Sequence, residues 1–189
     1  MMKKNWMVGL AMALMLGGAS SALAAPYVSG AFGMVSVNDA DVSGNPSGEL
    51  SFDPGFGFIA AVGNSFDGLR GEIEMAYRNN DLDKFSNNNA TGDITSLAVM
   101  GNILVDLAVS ESVRPFLGAG IGMANVDWDG DEDDTVFAYQ AIAGIGFPLT
   151  HVTTLDLQYR YFATADPDFG GAEAEYETHN FLAGLRFDF

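Results

Sequence analysis

The chain has 189 residues and a formal charge of −17, from 25 acidic against eight basic residues. That acidity excludes a nucleic-acid-binding protein, which needs a basic surface to displace phosphate counterions. Cysteine is absent, which excludes a disulfide framework and an amino-terminal lipid-modified cysteine.

The first segment, "MMKKNWMVGLAMALMLGGASSALAA", opens on Lys3 and Lys4, runs apolar from Trp6 to Leu16 and closes on small residues. This is the pattern of a secretory signal peptide. Ala22 and Ala24 satisfy the small-x-small rule, whereas a cut after Ala25 would have to hydrolyse the bond to Pro26. Residues 1–24 are therefore expected to be removed, leaving a domain at 25–189 with six basic and 25 acidic residues. The apolar run falls short of the roughly 20 residues that cross a bilayer as a helix.

From there the chain reads in period two, with no helical segment of convincing length. Strands are predicted at 26–37, 55–64, 69–79, 94–106, 113–124, 136–147, 152–162 and 175–189. In the first, both parities are mildly apolar, and Val28, Phe32 and Met34 are taken to face outward. The third, "LRGEIEMAYR", separates cleanly: Leu69, Gly71, Ile73, Met75 and Tyr77 alternate with Arg70, Glu72, Glu74, Ala76 and Arg78. Successive side chains point to opposite faces of a strand, so the two sets face different surroundings. The fourth puts Leu97, Val99, Gly101, Ile103 and Val105 outward; the sixth, Tyr139, Ala141, Ala143, Ile145 and Phe147; the seventh, Leu155, Leu157, Tyr159 and Tyr161. In the fifth, Gly118, Gly120 and Gly122 are three successive inward positions, expected to leave room for long arginines from facing strands.

Two regularities decide what the faces meet. Connections after the second, fourth and sixth strands are short ("SFDG", "LAVSES", "PLTH"), while the others are long and rich in Gly, Asn and Asp, as in outer-membrane barrels. Five of the six basic residues of the mature domain, Arg70, Arg78, Arg114, Arg160 and Arg186, fall on the parity opposite the apolar stripe. That parity also collects Glu72, Glu74, Asp106, Asp156 and Asp188, with Gln140, Gln158 and Asn180. Charge inside and grease outside predict an all-β, eight-stranded antiparallel up-and-down transmembrane β-barrel. Its interior is just wide enough to be filled by side chains, here a lumen ionic network of those ten charged residues. A soluble lipid-holding barrel of lipocalin type needs the reverse facing.

The last residues, "FLAGLRFDF", resemble the carboxy-terminal insertion signal of bacterial outer-membrane barrels through Gly184, Leu185, Phe187 and Phe189, although Leu182 stands where a polar residue is usual. Together with "PYVSGAFGM", "RGEIEMAYRNN", "RPFLGAGIGMA" and "LDLQYRYF", in this order and spacing, they make the chain similar to the small outer-membrane β-barrels of the opacity and porin-like surface-antigen family. The resemblance implies residence in the bacterial cell outer membrane, among outer-membrane lipid and lipopolysaccharide. It also implies insertion by the barrel-assembly machinery after periplasmic chaperoning, and a role in adhesion, surface antigenicity or envelope integrity. It carries no catalytic residue set and no cofactor.

Hidden chemistry has two candidates. His179 lies on the outward parity with Glu177 two places before it, and Ser29 and Ser36 lie on the first strand, so a lipid-A-modifying site would have to assemble there; His151 falls in a short turn. In "DWDGDEDD", Asp127, Asp129 and Asp131 have the spacing that opens a calcium loop, but Glu132 replaces its glycine and Ala138 its bidentate glutamate. The expectation is a structural or adhesive surface barrel without catalysis, cofactor or resident metal. A narrow porin-like channel is the alternative, and a lipid-A-modifying barrel enzyme the second.

Overall fold

Eight long strands carry the period-two pattern in the computed structural model, which describes residues 24–37, 40–43, 48–85, 88–89, 92–107, 109–128, 132–165, 168–169, 172–174 and 176–189. The predicted leader, apart from Ala24, lies outside the described residues. The strands are β1 (Ala25–Val37), β2 (Gly55–Phe66), β3 (Leu69–Phe85), β4 (Asp93–Asp106), β5 (Arg114–Trp128), β6 (Glu132–Pro148), β7 (Thr153–Thr164) and β8 (Glu177–Asp188). Each pairs antiparallel with the next. Pairing of β1 with β8, from Tyr27 opposite Asp188 to Val37 opposite Thr178, closes the cylinder and removes both sheet edges.

At about 3.3 Å per residue, the 12-residue strands run about 40 Å, and a tilt of about 40° leaves about 30 Å along the axis, enough for the apolar band of an outer-membrane barrel. One end has short turns. Asp67 and Gly68 join β2 to β3 with φ of 48° and 81°, the two positive angles that a two-residue hairpin of matching twist demands. The other two turns hold residues 107 and 109–113, and residues 149–152.

At the opposite end the strands outrun their predicted limits. β3 continues to Phe85 because Gly48–Phe52 pairs with it, and Gly48–Phe52 in turn pairs with Ala40–Ser43, which pairs with Ala172–Ala174. The first and last long connections, expected as loops, thus contribute a small sheet beyond the barrel. β5 and β6 stay paired up to Trp128 opposite Glu132, so most of the acidic segment expected as a loop is a hairpin stem.

Facing follows the sequence. Arg70, Glu72, Glu74, Ala76 and Arg78 are all buried, and Leu69, Ile103, Ile121, Phe137, Leu157 and Phe181 are among the large apolar side chains left exposed on the outer wall. Aromatic rings gather there in rows: Phe32, Phe56 and Tyr77 lie 6.3 and 6.2 Å apart in succession. A largely apolar exterior around a buried interior that takes in the arginines and carboxylates suits hydrocarbon surroundings rather than water.

Candidate functional site inside the barrel

The lumen is stacked in layers, and alternation along each strand sets which residues reach it. Nearest the short turns, Arg70 on β3 binds Asp106 on β4 through Nε at 3.0 Å and Nη2 at 2.7 Å. Arg186 on β8 lies 3.3 Å from Asp156 on β7 and 3.9 Å from the second oxygen of Asp106. The Tyr27 ring sits between the two guanidiniums, 5.9 Å from Arg70 and 5.8 Å from Arg186, and Arg70 also covers Phe116 at 4.6 Å. The Tyr27 hydroxyl donates to Glu72 at 2.8 Å, tying this layer to the next.

The middle layer crosses the barrel. Arg160 on β7 donates to Glu74 on β3 and to Gln158 at 2.9 Å, and lies 4.0 Å from Glu72. Asn102 on β4 donates to Glu72 at 2.9 Å and to Glu74 at 2.8 Å, while Gln140 on β6 donates to Asn102 at 2.8 Å and to Glu74 at 3.2 Å. Two carboxylates thus share one arginine and two amides, which keeps both ionic oxygens and amide groups satisfied in a space closed to water.

The third layer departs from expectation. Arg78, expected in the ionic network, forms no ion pair with a carboxylate among the described residues: its Nε donates to Asn180 at 2.8 Å and its guanidinium stacks 3.8 Å from the centre of the Phe162 ring. Much of the lumen toward the long-loop end is apolar, formed by Val37, Ile94, Ala98, Met100, Ala124, Val126, Phe162, Tyr176 and Leu182. Two further assignments are corrected. Arg114, at the rim where β5 begins, is exposed and forms no ion pair among the described residues. Asp188 is half-buried, and its backbone N–H donates to Val152 at 3.0 Å, but its carboxylate joins no ion pair either. Both stand where their strands run out of the barrel into water. Five cations facing five anions therefore becomes three arginines with Glu72, Glu74, Asp106 and Asp156, with Arg78 apart.

The glycine row does admit large side chains, but not arginines. A Cβ at Gly118 would meet Leu104, at Gly120 Asn102 and at Gly122 Met100, so the neighbouring strand β4 fills the space. Asn102 and Tyr27 were missing from the predicted interior. The parity of β4 already pointed Asn102 inward, whereas the two mildly apolar faces of β1 hid Tyr27.

On the outer wall His179 is hydrogen-bonded through Nδ1 to the Tyr159 hydroxyl at 2.7 Å and packs against Tyr161. Ser36 is its partner across the β1–β8 ladder, while Ser29 takes the inward parity opposite Arg186. Glu177 is engaged by the Tyr161 hydroxyl. With Nδ1 given to a phenol and the acid to another, Ser36, His179 and Glu177 do not form the nucleophile–base–acid relay that acyl transfer requires. His151 is exposed in its turn. Asp127 lies on β5 opposite Thr95 and Asp133; Asp129 and Asp131 lie outside the described residues. Among the described residues no three metal-ligating side chains cluster. Gly184 is in β8, and Leu185, Phe187 and Phe189 face outward at its end, where the Phe189 N–H donates to Pro26 at 2.9 Å.

A model of the outer membrane protein beta-barrel domain family matches residues 8–189. Among solved structures, the chain is similar to Neisserial surface protein A, at 19% identity over 87% of this chain and 97% of that one, with a TM-score of 0.62. It is likewise similar to the outer membrane protein OprG from Pseudomonas aeruginosa, at 14% identity over 88% and 96%, with a TM-score of 0.65. No curated protein sequence matches. At such identities the shared feature is the fold.

Proposed function

Because the chain belongs to the outer membrane protein β-barrel domain family, and so is an integral protein of the bacterial outer membrane, we propose that its barrel is a plugged stem presenting an acidic adhesive platform at the cell surface. The observation that carries this reading is the middle layer: Glu74, Asn102, Gln140 and Arg160 link β3, β4, β6 and β7 across the lumen. A solute path would have to break hydrogen bonds buried away from water, each costly to leave unmade.

Charge supports the platform. Eighteen of the 25 acidic residues lie in the four long-loop segments 38–54, 80–93, 127–134 and 165–177, against one basic residue, Lys84. Such a surface steers toward cationic partners, including cations that bridge lipopolysaccharide, and away from anionic ones. Catalysis has no part in this reading. During biogenesis Gly184, Leu185, Phe187 and Phe189 serve as the insertion signal read by the barrel-assembly machinery, after periplasmic chaperones have delivered the chain.

Single-channel recording on the purified barrel in planar bilayers tests the stem. It should give no steady conductance. Stable unitary steps would replace the stem with the narrow channel.

A further inference from the structure

The outer wall is not evenly covered. Two neighbouring ladder rows cross it from β1 to β5: Phe32, Ala183, Leu157, Ile145 and Pro115 in one, Met34, Phe181, Tyr159, Ala143 and Leu117 in the other. With Leu107 they line a groove of about 750 Å³. Each row has a gap where an alanine stands between bulkier neighbours, Ala183 between Phe32 and Leu157, and Ala143 between Tyr159 and Leu117. These side chains are apolar but for the Tyr159 hydroxyl, which His179 engages.

Four strand spacings of about 4.8 Å make the groove about 19 Å long. Strand tilt makes the rows climb as they cross. Pro115 is the second residue of β5, at the short-turn end that faces the periplasm, whereas Phe32 and Met34 lie well inside β1. The groove therefore opens at the periplasmic rim and rises obliquely to the middle of the wall. That path suits one acyl chain of the periplasmic leaflet, whose hydrocarbon is about 15 Å deep. A second barrel, being rigid and convex, would bridge such a slot rather than fill it.

The lower end of the groove carries a free cation. Arg114 directly precedes Pro115, is exposed, and forms no ion pair among the described residues, while Arg70, Arg78, Arg160 and Arg186 are buried in the lumen. β4 pairs with β5 only as far as Asp106 opposite Phe116, so no β4 residue flanks Arg114 and its stem is free to turn over the rim. A guanidinium at the interface, beside the mouth of an apolar groove, complements an amphiphile with a phosphate at the interface and a tail in the hydrocarbon. We infer that Arg114 and the groove rising from Pro115 to Met34 hold a phospholipid of the periplasmic leaflet, with its phosphate on the guanidinium and one acyl chain between the two rows. The site depends on membrane residence alone and is independent of the proposed surface role.

Photo-crosslinking in vesicles tests the placement, using a phospholipid that carries a diazirine either near the glycerol or at the end of one acyl chain. The first probe should label Leu107, Pro115 and Leu117; the second should label Phe32, Met34 and Phe181. Labels spread evenly around the wall, over Phe58, Leu69 and Ile103 as well, would leave only the ordinary lipid annulus and overturn the site. Native mass spectrometry of the barrel released in mild detergent should find a single phospholipid retained. A bare barrel, or a barrel dimer in place of the lipid adduct, would also overturn it. Ala143→Phe fills the groove from an outward position and should lose the lipid, whereas Ala60→Phe, outward on β2 and outside the groove, should keep it. Arg114→Gln should weaken retention by about tenfold, the effect of one charge-assisted hydrogen bond. Equal retention by all three variants would count against the groove and the guanidinium alike.

Discussion

Arg160 and Glu74, 86 residues apart in sequence, form an ion pair across the lumen with side-chain exposures of 3% and 0%. Neither charge is free to find water if the other is lost. Arg160→Met should therefore destabilise the barrel by about 3–5 kcal/mol, the usual cost of stranding a buried charge, whereas Arg160→Met with Glu74→Leu should recover much of that loss. Equilibrium urea unfolding of the refolded protein in lipid vesicles measures all four corners of the cycle. If the single and double variants were equally damaged, the pair would not act as a unit.

Glycine has opposite consequences on the two faces of the wall. At Gly120, an inward position, a Cβ would overlap the side-chain oxygen of Asn102, which accepts from Gln140 while its amide holds Glu72 and Glu74. Gly120→Ala should cost about 1–3 kcal/mol, because the amide cannot retreat without giving up those bonds. At Gly71, which faces outward, a Cβ meets nothing within 4 Å. Gly71→Ala should be neutral or stabilising by about 0.5–1 kcal/mol through the lost backbone entropy. The same unfolding measurement separates the two, and equal effects would remove the lumen from the explanation.

The barrel was legible because one strong signal, alternation, decides both period and facing, and a one-residue slip would have put Arg70, Glu72 and Glu74 into lipid. The layer contents were less legible. Parity says that Arg78 points inward but not at what height it meets Phe162 and Asn180, since that depends on the stagger between β3, β7 and β8. Arg114 and Asp188 share the inward parity, yet both sit at strand ends, where facing no longer means burial. The external sheet was hidden for a different reason: Gly48–Phe52 forms a strand by pairing with the end of β3, a contact between distant segments that no local pattern announces.

Ser36 and His179 face each other on the lipid side of the β1–β8 ladder, and this proximity makes catalysis testable. The Tyr159 hydroxyl occupies Nδ1 of His179, and Glu177 is taken by Tyr161. Mass spectra of lipid A from cells producing the wild-type barrel, the Ser36→Ala variant and the His179→Ala variant should be identical. A deacylated species that disappears with either substitution would establish an enzyme.

The outer wall gives the most direct measure of what surrounds the barrel. Ile121 is 64% exposed on β5, opposite Tyr139 on β6 and Gly101 on β4, well away from both strand ends. In hydrocarbon, an arginine at this depth must be dragged from water or must thin the bilayer around it, at a cost of about 2–4 kcal/mol near the midplane. On a water-facing sheet the same change would be almost free, since exposed substitutions away from special features fall within about 0.5 kcal/mol. Ile121→Arg should therefore lower the unfolding free energy in vesicles by about 2–4 kcal/mol. Arg placed instead at Val109, an exposed apolar residue in the turn after β4, should change it little. The difference between the two positions reads membrane depth, because both side chains are exposed to the barrel's surroundings and only one of them meets lipid.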